Sequence, residues 1–160
     1  MYFIAIVLAA GLLAQPAPSQ PELTGTWKMV VDRSGSPGLT PPVTEMTLII
    51  QQGPADVRLE SVTGGAKPIV VVYPIGPKPK QPAEPLGADA KIAYWDGQKL
   101  VLERGGAISG QTVSMKQSLT IDPESRELIL ERLVIVQHGY TLRGTKNYAT
   151  VKDVFTRVGS

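Results

Sequence analysis

The apolar residues of this chain recur with period two in short runs, and no stretch sustains the period of a helix. Met46, Leu48 and Ile50 alternate with Glu45, Thr47 and Gln51, and side chains two residues apart on a strand share a face. The 16 glycines and 14 prolines cut the remaining Val, Ile, Leu and Thr runs into pieces of strand length. Candidate strands are 25–31, 44–52, 56–62, 68–73, 90–95, 98–104, 111–121, 126–136 and 150–157. About nine antiparallel strands in one small domain must hide their edges, and closing the sheet is the commonest way to do so. The expected fold is all-β, an antiparallel up-and-down barrel of about 8 to 10 strands, with a β-sandwich as the alternative.

Local chemistry specifies two hairpins. Asp96-Gly97 suits a two-residue turn, which would set Trp95 opposite Gln98 and Ala93 opposite Leu100. Asp122-Pro123-Glu124-Ser125 reads as a four-residue loop that sets Leu119 against Leu128 and Lys116 against Glu131. A five-residue loop would oppose Lys116 and Arg132, two like charges, and is disfavoured. Segments 32–43, 74–89 and 138–149 are long and irregular, as loops over a site are. The middle one carries Pro74, Pro77, Pro79, Pro82 and Pro85, so it should run extended and stay out of any central strand.

Ahead of the strands lies an apolar run from Tyr2 to Leu13, then Gln15, Pro16, Ala17 and Pro18, with the first charge at Glu22. The run is shorter than the ~20 residues that span a bilayer and has the form of a secretory signal peptide. Residues 1–20 are therefore expected to be leader and linker, residues 21–160 the single folded domain, and the location periplasmic or secreted. With 0 cysteines there is neither a disulfide framework nor a lipid-attachment site, so no membrane anchor is expected. A net charge of +2 from 16 basic and 14 acidic residues gives no reason to expect nucleic acid as a partner.

Catalytic and metal chemistry find little to stand on, and no cofactor is expected. His138 is the lone histidine, and one histidine without cysteine does not make a usual zinc site. It sits at a turn beside Gly139, and no Gly-x-Ser-x-Gly offers it a nucleophile. Asp122, Glu124 and Glu127 lack the ligand spacing of a calcium loop and read as a turn. The acidic residues look scattered over turns and solvent-facing positions, without a facing pair for glycosidic chemistry. Gly64-Gly65 and Gly105-Gly106 follow strands without opening a helix, so they are not phosphate cradles. Polar residues on an apolar face are more telling. Val113, Met115, Leu119, Ile121, Leu128, Leu130, Val134 and Val136 face one way, and Gln117 and Arg132 share that face. A charge facing an interior needs a carboxylate partner, water or an anionic ligand. Arg132, Gln117, Met115 and Tyr73 are accordingly the candidate ligand contacts.

Leu23-Thr24-Gly25-Thr26-Trp27-Lys28 resembles the Gly-x-Trp start of lipocalin-like barrels, in which the tryptophan closes the floor beneath a basic residue of the last strand. That resemblance implies a lock between Trp27 and Arg157, in Val154-Phe155-Thr156-Arg157. The chain is also similar to a group of small exported bacterial proteins with a Gly-Thr-Trp-Lys start, a serine-containing turn where Asp32-Arg33-Ser34 falls, and a Trp-Asp-Gly hairpin where Trp95-Asp96-Gly97 falls. It departs from them in its proline-rich middle loop and in lacking a glycine in the Asp122 turn. Two functions follow as expectations, neither of them an enzyme. One is a binding module that takes a small apolar or amphiphilic ligand at the open end of the barrel. The other is a filled barrel that meets a protein partner, since Ile129, Leu133 and Ile135 make the opposite face of an already apolar strand apolar too.

Overall fold

The computed structural model describes residues 19–80, 86–87, 89–108, 111–137 and 148–159. Residues 1–18 of the expected leader, His138 and parts of the second and third long loops lie outside them. Nine strands form, β1 Gly25–Met29, β2 Met46–Gln52, β3 Asp56–Thr63, β4 Ile69–Pro74, β5 Lys91–Asp96, β6 Lys99–Ile108, β7 Gln111–Ile121, β8 Leu128–Gln137 and β9 Tyr148–Val158. They make one sheet in the order β4-β3-β2-β1-β9-β8-β7-β6-β5, every neighbour antiparallel. Because β1 pairs with β9, the two ends of the chain are tied together mid-sheet, and the sheet curls into a nearly closed barrel. The free edges are β4 and β5. With nine strands alternating in direction, those edges run parallel, and they meet only at an isolated parallel bridge between Ile75 and Ala93.

A parallel step cannot be made by a tight hairpin and needs a crossover. The proline-rich segment supplies it. Gly76 N–H donates to Ala93 O at 2.8 Å, Lys78 reaches Asp96 at 2.7 Å, and Ala90 N–H closes back on Gly87 O at 3.0 Å. These described residues lie against β5 and β6, and Tyr94 and Val101, which point outward there, are buried.

Both hairpin registers differ from expectation by two residues. Asp96 pairs with Lys99, so Trp95 lies opposite Leu100 and Ala93 opposite Leu102, and the turn residues are Gly97 and Gln98. Gly97 has φ +64° and Gln98 has no positive φ. A glycine at the first central position alone is what a II′-type turn requires, whereas Asp96-Gly97 as the central pair would force Asp96 to positive φ. In the second hairpin Ile121 pairs with Leu128, Leu119 with Leu130 and Lys116 with Leu133. Asp122 stays in the ladder by donating its N–H to Glu127 O at 2.8 Å, and the four loop residues are Pro123 to Arg126. Arg126, at φ +60°, occupies the position where glycine would be easiest. A slip of two preserves parity, so the expected faces hold although the opposites change.

The floor of the barrel is packed with buried apolar side chains. Leu23, Trp27, Ile50, Val57, Leu100, Leu119, Leu128 and Phe155 are all buried there, and Trp27 Nε1–H donates to Leu23 O at 2.9 Å. The β5–β6 and β7–β8 hairpins and the β2–β3 turn lie at this end. At the other end the segment after β1 turns through one-turn 3-10 helices at Val31–Arg33 and Ser36–Gly38. Gly35 N–H donates to Lys152 O at 2.8 Å, which brings Ser36 over the interior.

Candidate ligand cavity

Above the floor the two walls of the barrel do not meet. Met46, Leu48, Leu59, Ser61, Thr63, Ile69, Val71 and Tyr73 on β2–β4 face Arg104, Met115, Gln117, Leu130 and Arg132 on β6–β8 across a cavity of about 210 Å³. Period-two geometry puts each of these side chains inside, through the pairs Leu48 with Ser61, Leu59 with Val71, Arg104 with Met115 and Gln117 with Arg132. A second hollow of about 210 Å³ adjoins it along Gly105, Gly106, Ala107 and Val113, sharing Arg104 and Met115. The four ligand-contact candidates read from the sequence, Arg132, Gln117, Met115 and Tyr73, thus line one cavity.

Arg132 has a carboxylate partner. Its Nη2 lies 2.5 Å from Asp153 Oδ2 and also donates to Ser36 Oγ. Asp153 is 0% exposed and accepts from Ser36 N–H at 2.9 Å and from Ser36 Oγ–H at 2.6 Å. The loop after β1 is pinned by these bonds to the strand that pairs with it. Asp153 corrects the reading of the acidic residues as solvent-facing, and its alternation with Val151 and Phe155 was the signal for it. Nearby, Gln117 Oε1 and Arg132 Nε are buried with no hydrogen-bond partner among the described residues.

Arg104 was not among the sequence-derived candidates, although it follows Leu100 and Leu102 on the same face. It lines both hollows, and no carboxylate of the described residues lies within 4.0 Å of it. Tyr73 stands near it. Burial pushes the Tyr73 phenol above its ordinary range, and the charge of Arg104 works in the opposite direction. Among the described lining residues, Arg132 is a compensated cation and Arg104 has no carboxylate beside it, in a cavity lined by apolar side chains together with Ser61, Thr63 and Gln117.

Below the floor the Arg157 guanidinium lies 4.6 Å from the centroid of the Trp27 ring, its register partner on β1. Arg157 also donates to Glu22 O at 3.1 Å, so the last strand holds both the first strand and the segment before it. Gly25, at φ +147°, packs against the guanidinium, and an added Cβ there would sit 3.6 Å from Arg157 Nη1. Among the described residues no group of His, Cys, Asp and Glu could hold a metal ion. No described helix is long and apolar enough to cross a membrane.

No protein-family model and no curated protein sequence matches the chain. Among solved structures it is similar to the zebrafish ileal bile acid-binding protein complexed with cholic acid, at 10% identity and TM-score 0.45 over 85% of this chain and 98% of that one. At that identity and superposition the likeness says nothing about what this chain binds.

Proposed function

We propose that the barrel is an exported binding module for a small amphiphilic ligand, whose apolar body lies against Leu48, Leu59, Val71, Met115 and Leu130 and whose anionic group meets Arg104. The observation that carries this reading is Arg104, a cation lining a largely aliphatic cavity with no described carboxylate within 4.0 Å. A charge in such surroundings is stabilised by an anion or by water. Each hollow of about 210 Å³ is below the ~300 Å³ of ordinary small-molecule sites, and the two together reach that range, which favours a medium-sized ligand. Export rests on the apolar run 2–13 and the prolines after it.

Calorimetric titration of the purified protein with octanoate and with octanol tests the reading. Octanoate should bind, and Arg104→Met should weaken it about tenfold or more while leaving octanol unchanged, as loss of a charge-assisted contact would. Absence of binding by either probe would remove the proposal.

A second reading has its own observation. Ile69, Val70 and Val72 of β4 are exposed on an edge strand that carries no charge, and an apolar edge is a place where another chain can add a strand. Sedimentation of the protein at rising concentration should show a monomer if the cavity reading is complete, and self-association or capture by a partner if it is not.

A further inference from the structure

Arg104 and Met115 are register partners on β6 and β7, and both line both hollows. The rest of each hollow lies on opposite sides of that pair. Along β7 the first hollow continues to Gln117, which is aligned with Leu102, towards the packed floor. The second continues to Val113, which is aligned with Gly106, towards the other end of the barrel. Two residues of strand are about 6.6 Å, so each hollow gives a ligand about that length of wall beyond the Arg104–Met115 pair.

Both hollows offer apolar wall beside the cation. The first has Leu48, Leu59 and Val71 across from Met115. In the second, the described residues add no polar side chain to Arg104, since they are Gly105, Gly106, Ala107, Val113 and Met115. Gly106 keeps the second hollow open. It shares the inward parity of Leu102 and Arg104, and an added Cβ there would meet nothing within 4 Å. Its φ is not positive, so the backbone does not call for glycine at this position, and what the glycine leaves is room.

A cation between two apolar hollows suits an anion that has hydrocarbon on both sides. A terminal carboxylate held at Arg104 sends its single chain into one hollow and leaves the other to water. We propose that the acidic group of the ligand is internal, at a branch point from which two short aliphatic arms run into the two hollows, with Gly106 setting the room for the second arm; this rests on the reading of the cavity as a ligand site. The ligand class is a carboxylic acid branched at the carbon next to the carboxyl group.

Calorimetry with 2-butyloctanoate and dodecanoate tests the assignment, with octanoate as the probe of the parent reading. The two longer acids are isomers, so they carry the same number of carbons and differ in where the carboxylate sits. The wild type should bind 2-butyloctanoate about tenfold or more tightly than dodecanoate, since each methylene that passes from water to an apolar wall is worth about fourfold in affinity. Gly106→Leu fills the second hollow. In that variant 2-butyloctanoate should fall to the affinity of dodecanoate or below, with a cooperative urea transition showing that the variant is folded. Equal affinities of the isomers in the wild type, or tighter binding of dodecanoate, while octanoate still binds, would overturn the branched class alone, whether or not the variant folds. A preference undiminished in folded Gly106→Leu would do the same. Failure of octanoate and of both isomers to bind the wild type would overturn the cavity reading with it.

Discussion

Arg132 and Asp153 show what a charge inside this barrel requires. Asp153 is fully buried, and its oxygens are taken up by Arg132, the Ser36 amide and the Ser36 hydroxyl. Removing one member strands the other in a low-dielectric interior, so Asp153→Ala should cost about 3–5 kcal/mol. The double variant Arg132→Met with Asp153→Leu should recover a large part of that loss, because no charge is left behind. Urea denaturation midpoints of the three proteins check both expectations. Trp27 and Arg157 are a milder case. The ring is 1% exposed but the guanidinium remains at the surface, which places their coupling at about 0.5–1 kcal/mol in a double-mutant cycle of Trp27→Phe and Arg157→Lys. Parity made Arg132 and Gln117 legible as inward polar residues from the sequence. The same rule applied to Leu100, Leu102 and Arg104, and to Val151, Asp153 and Phe155, reaches two further inward charges, Arg104 and Asp153. What parity cannot supply is pairing across non-adjacent segments, such as Ser36 with Asp153, 117 residues apart.

Among the elements, hairpins were read correctly in kind and two residues out in register. The alternation of apolar residues distinguishes a one-residue slip, which would turn the core outward, but not a slip of two. Turn geometry decides the rest. In the β7–β8 turn the Asp122 carboxylate accepts from the Glu124 and Ser125 amides, at 3.0 and 2.8 Å, and from the Ser125 hydroxyl. The Ser125 bonds, first of all, hold its pKa below the ordinary value of 3.8. A carboxylate depressed in the folded state adds stability that is complete above its unfolded pKa and disappears as pH falls through the folded one. The wild type should therefore exceed Asp122→Ala in thermal midpoint by a constant margin at neutral pH, and the margin should shrink as pH falls below about 4. Melting curves of both proteins across that range would show it. The crossover offers a second test. An added Cβ at Gly105 would lie 2.1 Å from Gly87 O, a backbone atom that cannot rotate away, whereas at Gly106 it would meet nothing within 4 Å. Gly105→Ala should lose about 1–3 kcal/mol, the range for overpacking, and Gly106→Ala far less, by chemical denaturation.

At the scale of the whole molecule the barrel was legible and its seam was not, because closure in parallel follows from the strand count and the strand order, and the order is not in the local pattern. The seam has a direction that can be worked out residue by residue. Ile75 N–H donates to Ala55 O on the β3 side, and Gly76 N–H donates to Ala93 O on the β5 side. Successive amides on a strand point to opposite sides, so Ile69, Val71 and Tyr73 donate into the β3 ladder while Val70 and Val72 point at the seam. Pro74 falls on the seam side as well, where its missing N–H leaves no ladder bond unmade. No described backbone group accepts from Val70 or Val72. Native-state hydrogen exchange should therefore alternate along β4, with Val70 and Val72 exchanging on the order of 100-fold faster than Val71 and Tyr73. Equal protection at all four would mean that another strand is laid along this edge. Repeating the exchange at low and high protein concentration would then separate a segment of the same chain, whose protection is independent of concentration, from a second copy, whose protection rises with it.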